Sequence, residues 1–466
     1  MDNQLTRLLD SFSVVSTKRL VRELHTPGIP EEIGRLVSYL IQTPPRNRNE
    51  KIAYQTAFLG QSFSDVQFRL LRSEAIRRIE DYLVGETNAT AIGEVEREIR
   101  LLPLLRNRRL DKRYAAAKRR CQRAVDKLPD GPQCARLQYE FAREIIENKG
   151  LQRNLSIPEI NHQRQLWERS VVLETLRQAC NAISARTIDP GEPAAGWLPY
   201  LLQYLDESYD GPTPDPVLSI YRNAYQMLRE EGASDRALIT FIEQRAVLRQ
   251  ITPSEARELL LWTINHCIRR VNNGHLAAGN FALDLYAEGL ESGFLLDQGE
   301  LSRFTFSNIV ALALKAQQTE RARAFIDRYA PLLPTTFRQS TEALNRARLA
   351  FEEGRLEDSL DALQSARDED VLTTLNIRIL QMRVYHELAE FRLLDAHLDA
   401  LDIYLRRKKD SLDYHYKAYR QLIAYVRKYR RLNHHDREQI AKFRKEVISA
   451  ELLPERNWLI DIIAEG

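Results

Sequence analysis

The chain has 466 residues, 44% of them hydrophobic and 29% charged, with 68 Lys and Arg against 65 Asp and Glu for a net charge of +3. That balance excludes intrinsic disorder and leaves no global field to draw in a nucleic acid or an anionic membrane, so a charged partner must be read by a local cluster. The length calls for two or three domains or for one elongated array of repeats.

The opening Met1-Asp2-Asn3-Gln4 is polar and acidic where a secretory signal needs a basic start and an apolar core. The longest apolar runs, such as Ile309 to Leu314, fall well short of the roughly 20 residues that span a bilayer. The expected location is cytoplasmic, with no membrane partner. Cys121, Cys134, Cys180 and Cys267 are scattered through helical patterns, as buried free thiols of a reducing compartment are.

Helix signals begin early. Ser64 with Gln67 and Ser156 with Glu159 have capping-box spacing in front of long runs of Leu, Ile and Arg. Between them, from Leu104 to Lys127, stand ten basic residues, Arg106, Arg108, Arg109, Lys112, Arg113, Lys118, Arg119, Arg120, Arg123 and Lys127, against only Asp111 and Asp126. Of the 18 prolines, 14 precede Val217, so the first half is the more interrupted. Residues 1–186 read as an irregular helical region. Asp189-Pro190-Gly191-Glu192-Pro193 and Asp210-Gly211-Pro212-Thr213-Pro214-Asp215-Pro216 mark turns around a short helix at Trp197 to Leu205, which makes 187–216 a connection.

The region 217–466 is more regular. Thr252 with Glu255 forms a capping box, Pro253 suits the first turn, and Ala256, Leu260, Ile264, Cys267, Ile268 and Val271 make one apolar stripe that Gly274 ends. No run of alternating β-branched residues bounded by hairpin turns appears, so the expected class is all-α, with about twenty helices at ordinary lengths. Aligning turn residues between paired helices yields Gly232, Gly274, Gln317, Gly354, Ala389 and Asn433, a quasi-period in the range of helical repeats.

Around Gly354, Ala347 supplies a small residue in the first helix, and Leu356, Ser359, Leu363 and Ala366 follow in the second. The preceding unit has Ala322, Ile326, Tyr329 and Pro334, and the following one Tyr385, Phe391, Leu394 and Leu398. In these positions the chain, over Pro216 to Ala450, resembles the tetratricopeptide repeat family. Ala350 and Val371 depart from it, standing where the family has an aromatic residue and a terminal proline. The resemblance implies an α-solenoid of antiparallel hairpins whose stacked faces form a binding surface.

A second basic run, Tyr404 to Arg431, holds Arg406, Arg407, Lys408, Lys409, Lys417, Arg420, Arg427, Lys428, Arg430 and Arg431 against Asp410 and Asp413. Tyr404, Tyr414, Tyr416, Tyr419, Tyr425 and Tyr429 interleave it, the combination with which single-strand binders stack bases and hold phosphates. The same spacing also describes the aromatic inner face of a hairpin with solvated cations outside, and the acidic stretches Glu352 to Glu357 and Asp368 to Asp370 are candidate neutralisers.

Neither a phosphate-binding glycine loop, a dinucleotide fingerprint, a nucleophile elbow nor zinc-like spacing is present. His434-His435-Asp436 reads as a helix start with Asn433 and Asp436 as caps, and His266-Cys267 as part of a buried stripe. No catalytic residue, metal or cofactor is expected. The reading is a non-enzymatic scaffold, or a subunit of a larger assembly, that binds a protein or peptide with an acidic surface; self-association fits as well. Its anchors are Arg406, Arg407, Tyr414, Tyr419, Arg420, Arg427, Arg430 and Arg431, since Arg and Tyr combine contact area with strong hydrogen bonds. The alternative is a nucleic acid binding helical-repeat protein using 104–127 and 404–431.

Overall fold

The computed structural model describes residues 4–12, 14–26, 28–87, 90–185, 196–207, 215–229, 236–272, 274–366, 371–412, 414–450 and 453–465. Among them are twenty-four α-helices, and the only strands, Leu296–Asp297 and Glu300–Leu301, pair in one two-residue antiparallel hairpin. The chain is all-α, built of helices packed in sequential pairs.

Local signals account for many of the boundaries. The helix Pro253–Asn272 opens on the expected capping box: Thr252 N donates to Glu255 Oε2 at 3.2 Å and Glu255 N to Thr252 Oγ1 at 3.3 Å. Its end is closed by Gly274 at φ +96°. The short helix near Trp197 runs Leu198–Glu207, while most of the connection 187–216, including both expected turns up to Pro214, lies outside the described residues.

One turn closes hairpin after hairpin. At Arg109, Gly274, Gln317, Gly354 and Ala389 the backbone is left-handed, with φ between +55° and +96°. In each case the following N–H reaches back five residues, Leu110 to Leu105 O at 3.1 Å, His275 to Arg270 O at 2.9 Å, Gln318 to Ala313 O at 2.8 Å, Arg355 to Ala350 O at 2.8 Å and Glu390 to Tyr385 O at 3.0 Å. This is the Schellman arrangement, which satisfies carbonyls a helix end leaves open. Four of the six turns aligned from sequence therefore share one geometry. Gly232 lies outside the described residues. Asn433 differs, accepting from the His435 N–H at 3.1 Å.

Two compact units divide the chain: Met1–Gln178 with Ala195–Leu218, and Ala179–Ala194 with Ser219–Gly466. In the first, the helices from Gln4 to Thr87 enclose Leu5, Leu20, Ile33, Leu36, Tyr54 and Phe68. The helices Ala91–Asn107, Asp111–Val125 and Pro132–Leu151 enclose a second core of Val95, Leu102, Cys121, Leu137 and Phe141. Each such side chain contributes about 2 kcal/mol of transfer free energy. The buried Arg169 guanidinium ties loop to helix start, donating to Asp130 at 2.8 and 3.0 Å and to Asp215 at 2.6 Å. Burial alone would lower its pKa, but the two carboxylates hold it above the ordinary guanidinium value.

In the second unit the pairs are Pro253–Asn272 with Ala278–Glu291, Arg303–Lys315 with Thr319–Tyr329, Thr335–Glu352 with Leu356–Gln364, and Val371–Glu387 with Phe391–Arg407. First helices also pack on one another: Arg303–Lys315 on Thr335–Glu352, and that on Val371–Glu387. The consequence is visible in Val371–Glu387, which buries apolar side chains on two faces. Ile377, Leu380 and Val384 face the core shared with Leu344 and Leu363, whereas Leu375, Ile379 and Met382 face the core of Leu394, Leu422 and Phe443. Where the Gly354 hairpin closes most tightly, the buried Ser359 donates to Ala347 O at 2.9 Å, so both positions demand a small side chain.

Candidate functional site

The two basic runs are the features that carry most charge. In the second, the helix Phe391–Arg407 brings Asp395, Asp399 and Asp402, spaced four and three, along the face that meets Tyr414–Arg431. Arg430 pairs with Asp395 at 3.5 Å, Arg427 with Asp399, and Arg420 with Asp402 at 3.1 Å. Arg406 pairs with Asp402 at 2.6 Å, and Lys428 reaches Glu446 from the next helix. The neutralising carboxylates are thus those of the adjacent helices, not Glu352 to Glu357; Glu352 and Glu353 instead engage Arg383, Arg323 and Arg355. Asp368 to Asp370 lie outside the described residues. Arg407, Lys408, Lys417 and Arg431 are exposed and have no carboxylate at ion-pair distance among the described residues.

The described tyrosine side chains of this run turn inward. Tyr429 is buried with its hydroxyl donating to Ile462 O at 2.7 Å, Tyr404 and Tyr425 pack on the core, and Tyr416 lies under Arg420 and Lys409. The Tyr414 side chain lies outside the described residues. Tyr419 is the anchor that lines a groove.

That groove, of about 380 Å³, is lined by the first helices of successive pairs: Arg303 and Asn308 from one, Thr341 and Arg348 from the next, Asn376 from the third, and Tyr419 from Tyr414–Arg431. Arg348 makes its hydrogen bond to Asn345 Oδ1 at 3.5 Å and, among the described residues, meets no carboxylate at ion-pair distance. Burial pushes its pKa below the ordinary guanidinium value, offset in part by Glu455, which is itself paired with Arg383 at 3.2 Å. The groove therefore offers two half-buried cations, Arg303 and Arg348, with two carboxamides and a phenol, a set suited to an anionic or carbonyl-rich segment. Sequence reading passed over Arg348, since only the stacking of three helices places it here.

The first run is arranged differently. Arg106 donates to both oxygens of the buried Glu144, at 2.8 and 3.0 Å, and to Glu147, while Arg120 pairs with the buried Glu98 at 2.9 Å. Arg108, Arg109, Lys112, Arg113, Lys118, Arg119, Arg123 and Lys127 have no carboxylate at ion-pair distance among the described residues, and all but Lys118 are exposed.

The remaining candidates are structural. Asp436 caps Arg437–Ser449, accepting from Glu438 N and Gln439 N at 3.1 Å, so the carboxylate beside the two histidines is engaged by backbone. All four cysteines are buried free thiols, and burial pushes Cys121 up to about 12, away from nucleophilic use. His266 is buried beside Cys267 in the predicted stripe. Among the described residues no group of three metal-capable side chains converges, and no helix is long and apolar enough to cross a membrane. Comparison with protein-family models, curated proteins and solved structures finds no match to this chain.

Proposed function

We propose that this protein is a non-enzymatic docking scaffold whose tetratricopeptide-like second half holds an acidic segment of a partner protein in the groove of Arg303, Asn308, Arg348, Asn376 and Tyr419. The observation that carries this reading is Arg348, a half-buried guanidinium facing a groove with no carboxylate among the described residues at ion-pair distance. A partner carboxylate supplies the missing charge-assisted bonds, and first helices stacked side by side offer the extended contact line that helical-repeat scaffolds use. Repeated left-handed turns at Gly274, Gln317, Gly354 and Ala389 support the repeat reading.

The test is selection from a library of extended peptides against the whole protein and against Arg348→Gln. Acidic peptides are expected to be retained by the wild type and weakened at least about tenfold by the substitution, the loss typical of a desolvated charge pair. Retention of basic or apolar peptides, or equal binding by Arg348→Gln, would overturn the proposal.

A further inference from the structure

We propose that the outer face of the helix Asp111–Val125 is a docking surface for the phosphate backbone of B-form duplex DNA. This surface lies in the first compact unit and is independent of the groove reading.

The helix buries Tyr114, Ala117, Cys121 and Val125. At about 100° per residue, Lys112, Arg113, Arg119 and Arg123 fall within an arc of roughly 120° on the opposite side. Arg109 in the left-handed turn before the helix and Lys127 just after it extend the line, for about 27 Å at 1.5 Å per residue. A duplex presents one phosphate per roughly 1.7 Å of axis, so every cation on that line has a phosphate within reach.

Most of the nearby carboxylates are already engaged. Glu96 pairs with Arg100 and Arg136, Glu98 with Arg97 and Arg120, and Glu144 with Arg106. Of the acids at the helix ends, Asp126 falls just outside one edge of the arc and Asp111 about 80° outside it. The engaged acids are taken up by Arg97, Arg100, Arg106, Arg120 and Arg136, which leaves the cations of the line without a carboxylate at ion-pair distance among the described residues, at the cost of mutual repulsion.

The arc itself selects among polyanions. It holds no aromatic side chain, so it offers no platform on which unpaired bases stack. Its uncharged member, Ala116, is small, as is Ala115 beside the arc, which removes the large apolar anchors an interfacial membrane helix needs and lets the helix approach a groove wall closely. A helix fits the wide major groove of B-form DNA, not the narrow one of A-form RNA. Arginine predominates, which suits bidentate phosphate contacts.

The experiment measures binding of the full chain to a labelled 24-base-pair DNA duplex by fluorescence anisotropy from 50 to 200 mM KCl. Competing probes are the single strand, an RNA duplex of the same sequence, polyglutamate and anionic phospholipid vesicles. Duplex binding should weaken steeply with salt, with a slope in log–log form near −5 for about six contacts. The variant Arg109→Gln/Lys112→Gln/Arg119→Gln/Arg123→Gln replaces only exposed side chains and, at unchanged thermal midpoint, should lose at least about tenfold in affinity and most of that slope. The matched variant Arg407→Gln/Lys408→Gln/Lys417→Gln/Arg431→Gln should bind as the wild type does. No duplex binding at 50 mM, undiminished binding by the first variant, or equal preference for any competing probe would overturn the assignment.

Discussion

The runs 104–127 and 404–431 have the same charge count in sequence, ten basic residues against two acidic, and they end in different electrostatic states. In the second, the aspartates of Phe391–Arg407 recur with the pitch of the helix and meet Arg406, Arg420, Arg427 and Arg430 in turn. In the first, the neighbouring acids Glu98 and Glu144 are buried and engage only Arg120 and Arg106 of the run, so eight of its cations stay unmatched among the described residues. Charge density along a chain is therefore a poor guide to charge on a surface: what decides is the register of the neighbouring helix.

The largest effect should come from the buried pair of the first run. Arg106→Ala leaves Glu144 desolvated and unpaired and should destabilise the protein by about 3 kcal/mol, read as a lowered urea midpoint. An unchanged midpoint would mean that water reaches Glu144 readily.

Next comes the attempt to make the second run resemble the first. Asp402→Asn removes the partner shared by Arg406 and Arg420 and should cost about 1–2 kcal/mol. Combined with Asp395→Asn and Asp399→Asn, it should raise nonspecific, salt-sensitive affinity for polyanions, measured against heparin resin. If the triple variant elutes with the wild type, the aspartate ladder is not what keeps this face quiet.

The shared turn provides a smaller and more discriminating pair. Arg109 and Ala389 both hold left-handed backbone without being glycine. Either one changed to glycine should gain about 0.5–1 kcal/mol in thermal unfolding, because the Cβ penalty disappears. Arg109→Gly should weaken duplex binding at the same time, whereas Ala389→Gly should leave it unchanged.

The smallest effect is one of pH. His397 packs edge-on to Tyr385 and its Nε2 lies 2.7 Å from Arg378 O, and burial lowers its pKa despite that hydrogen bond. The unfolded chain then binds the proton more readily than the folded one, so this group's contribution is present above about pH 6.5 and is lost as pH falls toward the folded value. His397→Gln should flatten the acid limb of stability in the second unit. A limb of undiminished slope would assign it to carboxylates instead.

Much of the fold is local and was legible as such. Thr252 and Glu255 cap each other across one turn, Gly274 ends the same helix, and even Gln317 and Ala389, which lack the glycine signature, were found at hairpin turns because the spacing of helix pairs points to them. These features depend on residues within about six positions, the range over which helix hydrogen bonds and caps act. The aspartate ladder was half visible: its spacing is helical, but its partners stand 18 to 35 residues further on. Arg348 was invisible, since a lone arginine on a helix becomes a groove cation only when three first helices stack beside it. Sequence by itself determined the helices, their ends and the total charge. Tertiary structure alone decided which cations are spent internally and which face outward, because ion pairing depends on distances of a few ångströms between helices that the chain's order does not encode.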